Sequence, residues 1–288
     1  MIYWLIWAIL QWLGDVSYKI SIVFSKGKIP DKVYQFISRF YSILLAIVAL
    51  FIGKYFQMEE NIISVGYWIL WLYVLSSVLN TSAQFFYQYS YKFEKVSVLA
   101  PYWEFYTIFT VIFWFALFSD TQFISFLCAL LAGSLLLISS FNFKKMRFNK
   151  YCLSFMIGSF ILAIDANIWA YILKYTTPLT SMFYSNFIAF LVVTAVVIYS
   201  KQVHLVKDST PKMHAFITLE SVARLLIGFM WFFMVSELWV VQATLFGMMS
   251  LAMSVFFSFI LFKEKPSKKE IFVILVVLLL IFVGNYSS

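Results

Sequence analysis

The chain has 288 residues, 63% of them hydrophobic and only 12% charged, with a formal net charge of +8 at neutral pH. A water-soluble domain of this length needs far more polar surface to cover its core, so the composition specifies an integral membrane protein. The basic excess does not argue for nucleic acid as a partner, because the lysines and arginines fall in short loops between long apolar runs.

The apolar runs are long and continuous, without the ten-residue alternation of an outer-membrane barrel, so helices are predicted to cross the bilayer. In chain order, ten segments are predicted, at about 2–24, 33–53, 65–89, 97–118, 122–141, 151–174, 178–200, 213–235, 239–262 and 269–286. The first carries Gln11, Asp15 and Lys19 and has neither a basic start nor a small-residue cleavage site, so it reads as a membrane helix and not as a cleaved signal. Connections are short throughout, which makes consecutive helices antiparallel neighbours and leaves no room for a soluble domain. The fold class is therefore all-α and polytopic. Cys128 and Cys152 have no metal or redox spacing, and no cofactor or metal is expected.

Sixteen of the 21 lysines and arginines lie in the loops after the first, third, fifth, seventh and ninth segments. The positive-inside rule makes those loops cytoplasmic and puts both termini outside.

Residues 97–141 form a helical hairpin broken by Ser119-Asp120-Thr121-Gln122, and the pattern returns at 240–284 around Lys263-Glu264-Lys265-Pro266. Leu117-Phe118 answers Leu261-Phe262, and Asp120 answers Glu264. Further echoes link Pro30 and Ile37-Ser38-Arg39-Phe40 with Pro178 and Tyr184-Ser185-Asn186-Phe187, Asp15 with Asp165, and Asn80 with Arg224. The expected layout is two five-helix repeats, at 1–145 and 151–288. Five is odd, so the second repeat would enter the membrane inverted, and a binding site is expected near the midplane between the halves.

Trp12-Leu13-Gly14, Pro30 followed by Arg39, Ser97 with Ala100-Pro101, and an acidic residue before a glycine-containing helix (Asp120 with Gly133, Glu264 with Gly284) together resemble the drug/metabolite transporter superfamily. The subgroup resembled has ten helices built from two EamA-like domains. The resemblance implies a secondary active transporter, an exporter or exchanger of a small organic metabolite such as an amino acid. It would work by alternating access and be driven by protons or a counter-solute. It also implies a cell (inner) membrane location with both termini in the cytoplasm, opposite to the charge count. A lipid-linked sugar or lipid flippase of the same superfamily is the alternative. No Walker-type phosphate loop is present, so direct ATP drive is not expected. An intramembrane enzyme is the third reading and the weakest, since His204 and His214 flank a loop and share no motif. A monomer already holds both halves of the site, and a homodimer is compatible with it.

An ionisable group at the bilayer centre costs roughly 2.5–3.5 kcal/mol on insertion scales, so each needs a partner or a task. Asp15 with Lys19, and Glu220 with Arg224, stand at i,i+4 and are read as intrahelical structural pairs, with a substrate contact as the alternative. Arg39 either snorkels to the head groups or holds a carboxylate or phosphate in a central cavity. Glu104 follows Pro101 by three residues; a carboxyl beside a proline bend can take up and release protons as access alternates, or it can pair with Arg39. Asp165 is the second proton-coupling candidate. Asn80, Gln84 and Gln88 recur every four residues and form a polar stripe that lines a wet path or bonds a neighbouring helix. Asn167, Asn186, Tyr102 and Trp169 complete the substrate-binding candidates, the aromatics as surfaces for stacking.

Overall fold

The computed structural model describes residues 29–55, 65–94, 96–118, 123–140, 149–237, 240–248 and 268–286, together with Ile6 and Ile9. Asp15 and Lys19 lie outside the described residues, as does most of the expected first segment and the second half of the ninth. Every regular element described is helical.

The helices are α1 (Asp31–Tyr55), α2 (Tyr67–Phe93), the short α3 (Val96–Leu99), α4 (Glu104–Leu117), α5 (Phe123–Ser140), α6 (Lys150–Leu173), α7 (Pro178–Tyr199), α8 (Pro211–Glu237), α9 (Val240–Gly247) and α10 (Lys268–Tyr286). Five of them, α1, α2, α6, α7 and α8, contain stretches long and apolar enough to cross a membrane, and α4, α5 and α10 contribute shorter apolar helices. The apolar character is needed at the rim as well as in the core: Phe51, Trp71, Phe272 and Leu279 are exposed side chains that only lipid tails can cover without cost.

Local sequence sets the helix limits. Asn149 caps α6, its side-chain oxygen accepting from the backbone N–H of Tyr151 at 2.9 Å and of Cys152 at 3.0 Å. Thr177 caps α7 ahead of Pro178 at the first helical position, where the missing N–H costs nothing. The expected segment at 97–118 is interrupted: Ala100–Trp103 is a 3₁₀ turn between α3 and α4, and Glu104 opens α4 directly after it. Pro101 has no N–H to donate, which accounts for the tightened turn there.

The packing follows a small set of pairings: α2 with α6, α1 with α7, α5 with α10, and α4 with α6, while α1 also packs on α8 and α2 on α7. The α2–α6 pair is antiparallel. Tyr73 near the start of α2 meets Trp169 near the end of α6, with ring centroids 5.4 Å apart. Phe93 at the other end of α2 stacks on Tyr151 at 5.2 Å. Gly158 makes this seam tight, since a Cβ there would stand 3.0 Å from Tyr87 Cε1 and 3.2 Å from Phe86 Cβ. The α5–α10 pair is closed by Ser125, which donates to the carbonyl of Gly284 at 2.6 Å. Two apolar clusters fill the bundle, one around Tyr73, Trp114 and Trp169 and one around Tyr34, Tyr87 and Phe155.

Candidate functional site

Between the two apolar clusters runs a belt of polar side chains from α1, α2, α6 and α8. Asp165, well inside α6, is 2% exposed. Its carboxylate accepts from Ser76 Oγ at 2.5 Å and from Asn80 Nδ2 at 3.1 Å, both on α2. Asn80 turns its carbonyl oxygen the other way and accepts from Arg39 Nη2 at 2.7 Å. One amide thus links the guanidinium of α1 to the carboxylate of α6. Asp165 lies about 22 Å along α6 from Lys150 at 1.5 Å per residue, in the central third of the helix.

A second charged group adjoins the first. Glu220 on α8 is 1% exposed and receives both Nε of Arg224, at 2.7 Å, and Nη2 of the same residue on one oxygen. Its other oxygen accepts from Ser38 Oγ at 2.9 Å, and Ser221 Oγ donates to the Ser38 carbonyl at 3.1 Å. Ser38 precedes Arg39 in α1, so neighbouring residues of one helix serve the two groups. Two carboxylates and two guanidiniums make the belt formally neutral, which is what lets it sit at depth.

The sequence-predicted residues divide as follows. Arg39 is buried and bound to Asn80, so it does not snorkel to the head groups. Nor does it pair with Glu104: among the described residues the Glu104 side chain has no hydrogen bond or ion pair, although it is only 6% exposed. The alternative Arg39–Glu104 pair is thus not formed: the guanidinium donates to Asn80, and Glu104 lies on α4, which packs chiefly against α6 and α5. Glu220 and Arg224 do form their i,i+4 pair.

Asn167 points its amide back at the carbonyls of Ala163, at 2.7 Å, and Thr110, at 3.3 Å, tying α6 to α4. Asn186 donates to its own helix at Met182, 2.8 Å away. Tyr102 is buried beside α6, where its carbonyl accepts from Ser159 at 3.5 Å. Trp169 is wedged between Tyr73 and Phe232. Of the stripe on α2, Asn80 joins the charged belt, Gln88 is 3% exposed with Oε1 unpartnered, and Gln84 is half-buried.

Sequence reasoning missed Ser76, Ser38 and Gln35. Ser76 stands one turn before Asn80, so extending the four-residue spacing by one step finds it. Gln35 is fully buried with neither amide atom hydrogen-bonded, and Ser42, Ser77 and Thr81 also keep unpartnered hydroxyls. Gln35, Ser38 and Ser42 share a face of α1, as Ser77, Thr81 and Gln88 do on α2. Buried polar atoms are normally satisfied, so such concentrations on two helix faces are unusual. Among the described residues no group of three or more His, Cys, Asp or Glu is placed to hold a metal.

Residues 149–286 are similar to the EamA-like transporter family, whose model matches over that stretch. That span covers α6 to α10. A solved crystal structure aligns over 98% of this chain and 97% of its own length with a TM-score of 0.70 at 10% identity, which shows a shared fold. No curated protein matches the chain in sequence.

Proposed function

We propose that the protein is a secondary active transporter of a small organic metabolite such as an amino acid, built as two five-helix repeats of inverted topology that alternate access to a site between them. The observation that carries this reading is the buried charged belt in which Arg39, Asn80 and Asp165 join α1, α2 and α6 beside unpartnered polar atoms of α1 and α2. Charged groups deep in a membrane bundle mark solute or ion paths, because packing alone does not repay their desolvation. The amides and hydroxyls would meet the polar groups of the solute, and Arg39 a carboxylate or phosphate.

Two further features support the layout. The EamA-like domain begins where the second repeat is expected. The packing also suits a twofold exchange of the halves: α1 pairs with α7 and α5 with α10, the second and fifth segments with their own mates, while α1 on α8 is matched by α2 on α7.

Glu104 and Asp165 are the proposed proton-coupling groups. They differ in surroundings, since Asp165 is held by three side chains directly or through Asn80 and Glu104 by none among the described residues. Glu104 also follows the 3₁₀ turn at Pro101, where a helix can flex between states. In proteoliposomes with a mixed metabolite pool, mass-spectrometric readout and a lumenal pH dye, the wild type is expected to move a solute together with protons. Glu104→Gln is expected to keep solute exchange and lose proton movement. Redistribution of lipid-linked substrates with no soluble solute moving would replace this reading by a flippase.

A further inference from the structure

The outer flank of the α2–α6 seam holds a groove of about 350 Å³, separate from the charged belt. It arises from the way the seam is closed. Along its inner line the contacts are small: Ser90 Oγ donates to the Tyr151 carbonyl at 2.8 Å, Ser154 Oγ to the Phe86 carbonyl at 3.2 Å, and Gly158 admits the Tyr87 ring and Phe86 Cβ of α2. The helices therefore approach closely, and the large side chains beside that line become walls. Phe85 and Tyr89 stand on the α2 side, Leu153 and Ile157 on the α6 side, and Lys150 closes one end.

Tyr89, Leu153 and Ile157 are exposed on two helices that are long and apolar enough to cross a membrane. Lys150, at the first position of α6, is exposed; its ammonium lies 5.2 Å from the Tyr151 ring centroid and is paired with no carboxylate among the described residues. The acids described at this end form no ion pair with Lys150. Glu94 accepts from Asn149 at 2.7 Å, and Asp31 lies 3.9 Å from Lys92. From Lys150 to Ile157 the groove runs about 10 Å along α6, the length of part of an acyl chain. The end with the cation is the end where α2 finishes and α6 starts, at the membrane face that carries Lys92 as well.

We infer that this groove is a binding site for an anionic phospholipid, with an acyl chain between Phe85, Tyr89, Leu153 and Ile157 and the phosphate on Lys150. A zwitterionic lipid brings its own cation next to its phosphate and gains less from the Lys150 ammonium. An anionic lipid supplies the missing charge. The site requires only that the protein be in a membrane and does not depend on what the protein transports.

The test is native mass spectrometry of the full chain released from nanodiscs of phosphatidylglycerol and phosphatidylcholine with matched acyl chains. Phosphatidylglycerol is expected to be retained in preference. Lys150→Gln should reduce its retention about fivefold, as expected for one lysine near the membrane surface, and leave phosphatidylcholine unchanged. Lys150→Arg should restore retention, and Ile157→Trp, which fills the groove, should lower retention of both lipids. Lys150 is exposed, so thermal unfolding of Lys150→Gln should match the wild type. Equal retention of phosphatidylglycerol by wild type and Lys150→Gln would overturn the proposal, as would complete displacement by soluble glycerol phosphate, which has no acyl chain to seat.

Discussion

Arg39 on α1 and Asp165 on α6 are connected through a single side chain of α2, the amide of Asn80, which accepts from the guanidinium at 2.7 Å and donates to the carboxylate at 3.1 Å. An amide can face a cation and an anion at once, since it has both a carbonyl and an NH₂. Asn80→Asp would keep the acceptor and lose the donor while adding a second negative charge. Asn80→Leu loses both bonds and leaves two charged groups in the bundle with fewer partners. Its unfolding in detergent is expected to cost about 1–3 kcal/mol relative to wild type, read as a lowered thermal midpoint. An unchanged midpoint would mean that Arg39 and Asp165 find other partners at no cost.

Glu220 holds Arg224 and Ser38 at once, so removing its charge takes a carboxylate partner from the guanidinium. Glu220→Gln alone is expected to destabilise by about 3 kcal/mol, the scale for breaking a buried pair, tempered by the partial exposure of Arg224. The double variant Glu220→Gln with Arg224→Leu should lose less than the sum of the two single changes. A double-mutant cycle on thermal midpoints measures the coupling, and strict additivity would show that the pair does not contribute.

Gly158 lets α2 and α6 approach. A Cβ at this position meets Tyr87 and Phe86 at 3.0–3.2 Å, and neither neighbour is the loose end of a flexible chain. Gly158→Leu is expected to cost about 1–3 kcal/mol through overpacking, visible as a lower thermal midpoint. Gly228→Leu is the control, because a Cβ there meets nothing within 4 Å.

Thr81 is 3% exposed with its hydroxyl unpartnered on the polar face of α2. If that face borders the solute path, a Thr81→Cys protein lacking Cys128 and Cys152 should react with a small polar thiol reagent, and solute should slow the reaction. Leu136→Cys, set in the apolar core of α5, should stay unreactive. Equal reactivity at the two positions would remove the distinction between path and core.

Much of the bundle was legible because long apolar runs permit only helices in a bilayer, and the basic loops and Pro178 separate those helices. The pair Glu220–Arg224 was readable for the same local reason, since i,i+4 spacing places both on one face. Contacts between helices were not. The sequence suggests Glu104 as a partner for Arg39, and spacing cannot place residues of different helices against one another. That placement rests on α2 lying between α1 and α6, which is a matter of packing. Ser76 and Ser38 were hidden for another reason: serine is common in membrane helices, where it usually bonds its own backbone, as Ser82 does to Val78. Only the proximity of a carboxylate from another helix distinguishes these two.

The central claim is that solute crosses the bundle at the belt around Arg39. Exchange of preloaded metabolites across proteoliposomes, compared between wild type and Arg39→Gln at matched folding, tests it most directly. The wild type is expected to exchange at least one anionic or zwitterionic metabolite, and Arg39→Gln to lose this exchange by about tenfold or more, the loss expected for a charge-assisted contact. Exchange by Arg39→Gln at the wild-type rate for every metabolite moved would contradict it.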